Sequence, residues 1–462
     1  MNGIVSKIRF RTQVQRVHKK EDHDVWIVES MSEQNKSTSE TFDSVVVCVG
    51  SHQHSSIPTS LQTKLKTFPG LVLHSKDYKD SKQLKGKRVV VVGLGESGSD
   101  VSWQASRVAS KVCISTRSGA GYSIPRKFGD MPTDLDTSRA HHLVHQGRLG
   151  WSSRLSNSWH IWAKNLVDHI TAKFFLPSTS DVSEMEAQKI VARMNNRGDL
   201  PWYRRFGTKN IGYARAVASY GAVMKPDLKT FEGTTARFVD GTTFDNVDVV
   251  VLCTGYRISF PFLEKHVEKS VCAIRPVLFK HMIEPSIGLG LTFVGFCRPG
   301  VGSIPPLAEM QSRYLALLLS RKKRLPPQLD MIRTIQEDDL VTTSQYPRDA
   351  RRIGSLCDFL RLLDSLASLI GCEAPYFNLF RPIETYKVLV GPITGSQFRL
   401  QGPGAMPKIA RRALKRTPTA PIPVVLFNLL NLFVHSIVLK SFFVILMFEI
   451  VLVISFRRMC MY

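Results

Sequence analysis

"KRVVVVGLGESGSD", Lys87–Asp100, decides the fold. Its run of four valines, Val89–Val92, suits a parallel strand buried on both faces. Gly93-Leu94-Gly95-Glu96-Ser97-Gly98 then gives G-x-G-x-x-G, and "SDVSWQASRVAS" sets Val101, Ala105 and Val108 at helical spacing. "KVCISTRS" follows as a second short strand. The three glycines serve different ends. Gly93 permits the tight turn, Gly95 lets backbone approach a pyrophosphate, and Gly98 allows the helix to lie close to the strand. The helix N-terminus, with Glu96 and Ser97, supplies amides to phosphate. A lone glycine motif is weak evidence; its place between a strand and a helix makes it a dinucleotide turn. The second strand ends in Ser115-Thr116-Arg117, where an NAD site normally carries an acidic residue. Arg117 offers a fork for a 2′-phosphate, so NADP is expected over NAD; a solvated loop arginine is the plainer alternative.

Outward from this turn the chain repeats itself. "VDVVVLCTGYRISFPFL", Val247–Leu263, is another buried strand, ending in Cys253-Thr254-Gly255, and "TTARFVDGTTFDN" before it reads as a hairpin turning at Asp240-Gly241. Near the start, "IRFRTQVQRV" and "VWIVES" read as two meander strands, and "ETFDSVVVCVGSHQ" as a buried strand ending in Val49-Gly50-Ser51. The stretches "FDSVVVCVG" (Phe42–Gly50) and "FDNVDVVVLCTG" (Phe244–Gly255) thus form an internal repeat. The fold expected is α/β with two dinucleotide-binding, Rossmann-like domains. The first is expected to be incomplete, its own glycine turn and leading strands lying outside the 462 residues.

Bulk composition narrows the class. Hydrophobic residues at 43% and charged residues at 22% fit a folded chain. A net charge of +24 admits nucleic acid, an anionic membrane or phosphate-bearing ligands. Eight cysteines are scattered with no C-x-x-C pair, so neither a zinc site nor a redox dithiol is expected, and reduced, cytosol-facing domains are. From Pro421 to Phe456 runs an apolar stretch broken by Lys440 and Glu449 alone among charged residues, long enough to span a bilayer at about 20 apolar residues. "KIARRALKR" precedes it, and attraction to anionic headgroups explains that basic run more cheaply than nucleic acid does. A buried soluble helix is the alternative for the apolar stretch.

These stretches together resemble the flavin-containing monooxygenases, a membrane-anchored class. "FPGLVLHSKDY", with Phe68, Gly70, His74 and Tyr78, is similar to that family's F-x-G-x-x-x-H-x-x-x-Y/F signature. "GKRVVVVGLGESGSD", "VVLCTGYRISFPFL", "EMQSRY" and "QFRLQGPG" match further segments, and the likeness runs from about residue 5 to about residue 405.

The resemblance implies FAD and NADP as cofactors and O2 as co-substrate. It implies oxygenation of soft nitrogen or sulfur atoms in small amines and sulfides, through a flavin hydroperoxide. It also implies an endoplasmic reticulum membrane with the body facing the cytosol, membrane lipid as a partner and no nucleic acid. The cofactor carries the chemistry, so no catalytic acid–base residue and no metal ligand is nominated. The cofactor-binding candidates are Gly93, Gly95, Glu96, Ser97, Gly98, Ser115, Thr116, Arg117, Thr254, Gly255 and Gln311. His74 is read as aligning the nucleotide domains, with a satisfied structural histidine the commoner role. Gln311 and Arg313 are read as opening a helix near the flavin, ordinary helix polar residues being an equal alternative. Glu337, Asp338 and Asp339 are read as a solvated face. The family's N-terminal FAD turn has no counterpart in the matched region, so a flavin-free chain that binds NADP and membrane without turnover is the competing expectation. A pyridine nucleotide–disulfide reductase lacks its C-x-x-C pair here. The expected division is 1–85, the back half of the FAD domain with the linker signature; 86–255, the NADPH domain with an insert at 130–205; 256–405, a return to the FAD domain; 406–420, a basic linker; and 421–456, the membrane anchor.

Overall fold

The computed structural model describes residues 3–21, 23–117, 119, 121–128, 131–145, 181–195, 207–273, 277–345, 353–375, 378, 380–420 and 425. The chain forms two compact units, one of Met1–Ile124 with Asp181–Ile370 and the other of Pro125–Ser180 with Gly371–Tyr462. Most of 130–205 and, apart from Val425, the apolar run 421–456 lie outside the described residues.

The first unit opens with an antiparallel ribbon of β1 (Thr12–Lys19), β2 (Trp26–Ser32) and β3 (Ser37–Phe42). β3 is a strand where one continuous stretch into the next strand was expected, because Asp43-Ser44 break the ladder before β4 (Val45–Val47) begins. A second, five-stranded parallel sheet follows. β5 (Leu71–His74), β6 (Arg88–Val92) and β7 (Lys111–Ser115) belong to it, with helix α1 (Glu96–Ser106) between the last two. After helix α2 (Gly212–Tyr220) comes β8 (Val223–Lys225), then a second antiparallel ribbon of β9 (Leu228–Glu232), β10 (Thr235–Phe238) and β11 (Thr243–Phe244). β12 (Val249–Leu252) completes the sheet in the order β8-β7-β6-β12-β5.

Two cores sandwich that sheet because strand side chains alternate. Val89 and Val91 face Val101, Ala105, Tyr213 and Ala214, while Val90 and Val92 face Leu228, Phe231, Phe238 and Phe244. Val89, Val90 and Val91 are fully buried, each contributing about 1.5–3 kcal/mol against exposure.

The repeat read from sequence is a repeat in space. Each half has a three-stranded antiparallel ribbon followed by a parallel strand, and three residues past the strand's end stands a glycine of positive φ, 79° at Gly50 and 86° at Gly255. β4 pairs in parallel with β13 (Leu291–Phe293), over a core of Val17, Trp26, Val47 and Phe260. Helix α3 (Ile304–Leu319) follows β13.

The second unit holds helices α4 (Pro382–Val390) and α5 (Pro407–Arg416). The segment expected as a basic linker is therefore helical over α5. Pro407 at its first position and Lys415 and Arg416 in its last turn suit a helix start and its dipole. Arg411 Nε donates to Glu384 Oε2 of α4 at 2.7 Å. Among the described residues no helix is long and apolar enough to cross a membrane.

Candidate functional site

The β6–α1 turn is built from three glycines that differ in kind. Gly93 has φ +100°, and a Cβ there would lie 2.6 Å from Cys253 O. A Cβ on Gly98 would lie 2.1 Å from Gly93 O. Both are needed by the protein's own contacts. Gly95 is not: its φ of −97° is open to any residue, and a Cβ would meet nothing within 4 Å. It caps α1 with no side-chain hydrogen bond, and Gly95, Glu96 and Ser97 are exposed. An uncapped helix N-terminus with clear space before it is a site for an anion. A pyrophosphate needs such space at the turn, and Gly95 leaves it.

The neighbouring strand ends carry the other candidates. Ser115 is buried and its Oγ donates to Pro226 O at 2.9 Å, which leaves it structural. Thr116 Oγ1 accepts from Gly119 N at 3.0 Å, shaping the loop. Arg117 is exposed and makes no ion pair among the described residues. Thr254 Oγ1 donates to Ser56 O at 2.6 Å, and Gly255 O accepts from Ser56 N at 2.9 Å, fixing the end of β12. The sequence reading missed Lys209 and Asn210. Lys209 N donates to Glu96 Oε1 at 2.6 Å, and Asn210 Nδ2 to Glu96 O at 3.2 Å. No local pattern marks them, since they come from more than a hundred residues downstream.

The F-x-G-x-x-x-H-x-x-x-Y stretch is edge strand β5 and its exit. Phe68 packs against Phe231, the rings tilted and their centroids 4.4 Å apart, and Gly70 is obligatory because a Cβ would lie 2.5 Å from Asp248 O. His74 is 5% exposed and ends the strand. Its Nδ1 accepts from Lys76 N at 3.1 Å, its ring meets Tyr256 edge-on at 5.3 Å, and its Nε2 is buried. Burial holds the imidazole pKa below its ordinary value. Tyr78 Oη donates to Gln104 Oε1 of α1 at 3.2 Å, and burial raises its pKa to about 12. The His74–Tyr256 and Tyr78–Gln104 contacts thus join the end of β5 to the segment after β12 and to α1.

Gln311 lies in the middle of α3, fully buried, not at its opening. Its Oε1 accepts from Gly295 N at 2.9 Å and its Nε2 donates to Lys280 O at 3.0 Å, so both ends of the amide hold backbone. Lys280 and His281 are consecutive residues in the left-handed region, at φ 52° and 57°. Lys280 Nζ donates to Asp338 Oδ2 at 3.0 Å, and Arg361 Nε to the other oxygen at 2.9 Å. Asp338, expected on a solvated face, is thus clamped by two cations. Beyond β13, a narrow cleft is walled by Ser51, Tyr256, Phe296, Cys297 and Arg298.

The model of the flavin-binding monooxygenase-like family matches residues 2–159 and 213–456. A 4-hydroxybenzoate brominase (decarboxylating) of Marinomonas mediterranea is 32% identical over 412 residues, 87% of this chain and 74% of that protein. Flavin-containing monooxygenase 5 of Oryctolagus cuniculus is 30% identical over 417 residues, 87% of this chain and 71% of that protein. Among solved structures, cyclohexanone monooxygenase from Rhodococcus sp. Phi1 bound to NADP+ superposes with a TM-score of 0.52 at 14% identity, over 80% of this chain and 81% of that one. At that identity the likeness speaks for the fold alone.

Proposed function

The chain belongs to the flavin-binding monooxygenase-like family, and on that premise we propose that it is an NADPH- and FAD-dependent monooxygenase acting on soft nitrogen or sulfur atoms of small molecules. The observation that carries the nucleotide half of this reading is the clear space before Gly95 at an uncapped helix N-terminus. The backbone of Gly93–Gly98 would hold the pyrophosphate, and Arg117, exposed at the end of β7, the 2′-phosphate. Ser115 and Thr116 set the loop that presents Arg117, and Thr254 and Gly255 fix the adjoining strand end. His74 and Tyr78 hold the sheet edge beside them. Flavin, when bound, supplies hydride acceptance and oxygen activation. Gln311 would act on the flavin side only through the backbone of Gly295 that it fixes. The apolar run 421–456, with basic α5 before it, is proposed to anchor the body to the endoplasmic reticulum membrane on its cytosolic side, with lipid as partner.

A second reading, NADP binding without turnover, is favoured by one feature. Among the described residues G-x-G-x-x-G occurs once, in the NADP half. One experiment separates the two. The full chain is purified in detergent and its visible spectrum recorded. NADPH oxidation is then followed with a tertiary amine, a thioether, or bromide with 4-hydroxybenzoate, the last because the brominase is as similar in sequence. A flavin band near one FAD per chain with amine- or sulfide-driven oxidation supports the monooxygenase. A flavin-free chain that still binds NADP+ supports the second reading, and turnover with bromide alone overturns the nitrogen or sulfur assignment.

A further inference from the structure

The four residues Gly207–Asn210 link the β6–α1 turn to Tyr122–Ile124, the stretch that begins five residues after Arg117. Gly207 and Thr208 pair in parallel with Tyr122 and Ser123, and Ile124 N donates to Thr208 O at 2.9 Å, in the loop that follows Arg117. One residue on, Lys209 N reaches Glu96 Oε1 at 2.6 Å. Asn210, 5% exposed, donates from Nδ2 to Glu96 O at 3.2 Å and to Asp100 Oδ1 at 2.9 Å, while its Oδ1 accepts from Gly212 N at 2.9 Å. The chain also runs close against α1 just beyond: a Cβ on Gly212 would lie 2.7 Å from Ser99 O.

We propose that Gly207–Asn210 is a strap that fixes the distance between the pyrophosphate turn and the 2′-phosphate loop, with Asn210 as the positioning residue that holds it on α1. The proposal rests on the NADP reading of this cradle. Two physical arguments support it. The Glu96 carbonyl shares a rigid peptide plane with Ser97 N–H, so a hydrogen bond that holds the carbonyl also aims the amide toward the anion. A dinucleotide that engages both sub-sites binds its second end intramolecularly, and that gain survives only while the spacing is held. Loosening the strap therefore weakens NADP+ and spares a ligand that reaches one sub-site.

The test measures dissociation constants for NADP+ and for adenosine 2′-monophosphate on the full chain, its Asn210→Ser variant and its Asn210→Asp variant, with thermal unfolding in parallel. Asn210→Ser is expected to weaken NADP+ about tenfold and adenosine 2′-monophosphate by less than about twofold, the loss being that of one good hydrogen bond. Asn210→Asp, with a carboxylate set against Asp100, should weaken NADP+ further; if it fails to fold, the serine variant decides. Equal losses for both ligands make Asn210 a residue of the fold and overturn the strap, as does an unchanged NADP+ affinity. A wild-type chain that binds neither ligand removes the NADP reading itself, an outcome distinct from failure of the strap alone.

Discussion

Replacing Gly95 and Gly98 in turn by alanine separates what the fold needs from what a ligand needs. At Gly98 the new methyl would stand 2.1 Å from Gly93 O and 2.9 Å from Gly93 C, both backbone atoms that cannot step aside. Overpacking of that kind costs about 1–3 kcal/mol, and a domain of this size loses about 2–4 °C of Tm for each kcal/mol. Gly98→Ala should therefore melt roughly 2–12 °C lower. At Gly95 the methyl enters open space, and the backbone at φ −97° and ψ −158° accepts it. Alanine gains about 0.4–1 kcal/mol by restricting the unfolded chain and loses a few tenths to 1 kcal/mol as a poorer N-cap, so Tm should stay within about 2 °C. The same methyl fills the volume a pyrophosphate would take, and NADP+ affinity should fall tenfold or more, about 1.4 kcal/mol. Scanning fluorimetry with and without NADP+ reads both quantities. A Gly95→Ala chain that melts normally and binds NADP+ as tightly as wild type would falsify the assignment of that space to the cofactor.

Three further outcomes are expected. Arg117→Ala should weaken NADPH by roughly 1.5–3 kcal/mol, the value of a charge-assisted contact, and leave NADH nearly unchanged; equal losses in a titration would take Arg117 out of the site. Burial pushes the His281 imidazole down to about 4 from 6.5, Asp338 opposing and Lys280 aiding that shift, so the folded chain resists protonation that the unfolded chain accepts. Its contribution to stability is complete above pH 6.5 and is lost as pH falls toward 4, at no more than about 1.4 kcal/mol per pH unit. His281→Asn, which tolerates the left-handed backbone, should flatten the fall in Tm between pH 7 and 5, and an unchanged slope would refute the attribution. Deleting 421–462 should release the chain from carbonate-washed membranes with the NADP domain still folded; undiminished retention would mean that another surface does the anchoring.

What could be read from sequence was what is local. The β6–α1 turn and the Asp240-Gly241 hairpin are set by neighbours within a few residues, and both lie where the pattern puts them. β3, "STSETF", escaped because a strand polar on both faces has no apolar period to detect. β5 was recognised as a signature and not as a strand. Its partner Val249–Leu252 is remote in sequence, and four residues are too few to show alternation. Gln311 and Asp338 were placed by their helical neighbours, yet their partners are Lys280, Gly295 and Arg361. Asn210 carries no motif at all; its meaning comes from the helix end it lies against.

The order β8-β7-β6-β12-β5 has a consequence for how the chain is made on the ribosome. β5 and β6 are successive strands, yet they never pair; β12 lies between them, bonded to both through Val249–Leu252. When β6 emerges, its edge must stay unfilled until everything up to Leu252 has been synthesised. At ~5–20 residues per second, that wait is on the order of ten seconds or more. During it, Val89–Val92 offer a bare, apolar strand edge to any passing chain. Yield in cells should accordingly depend on holdase chaperones acting in that interval more than on the stability of the finished sheet.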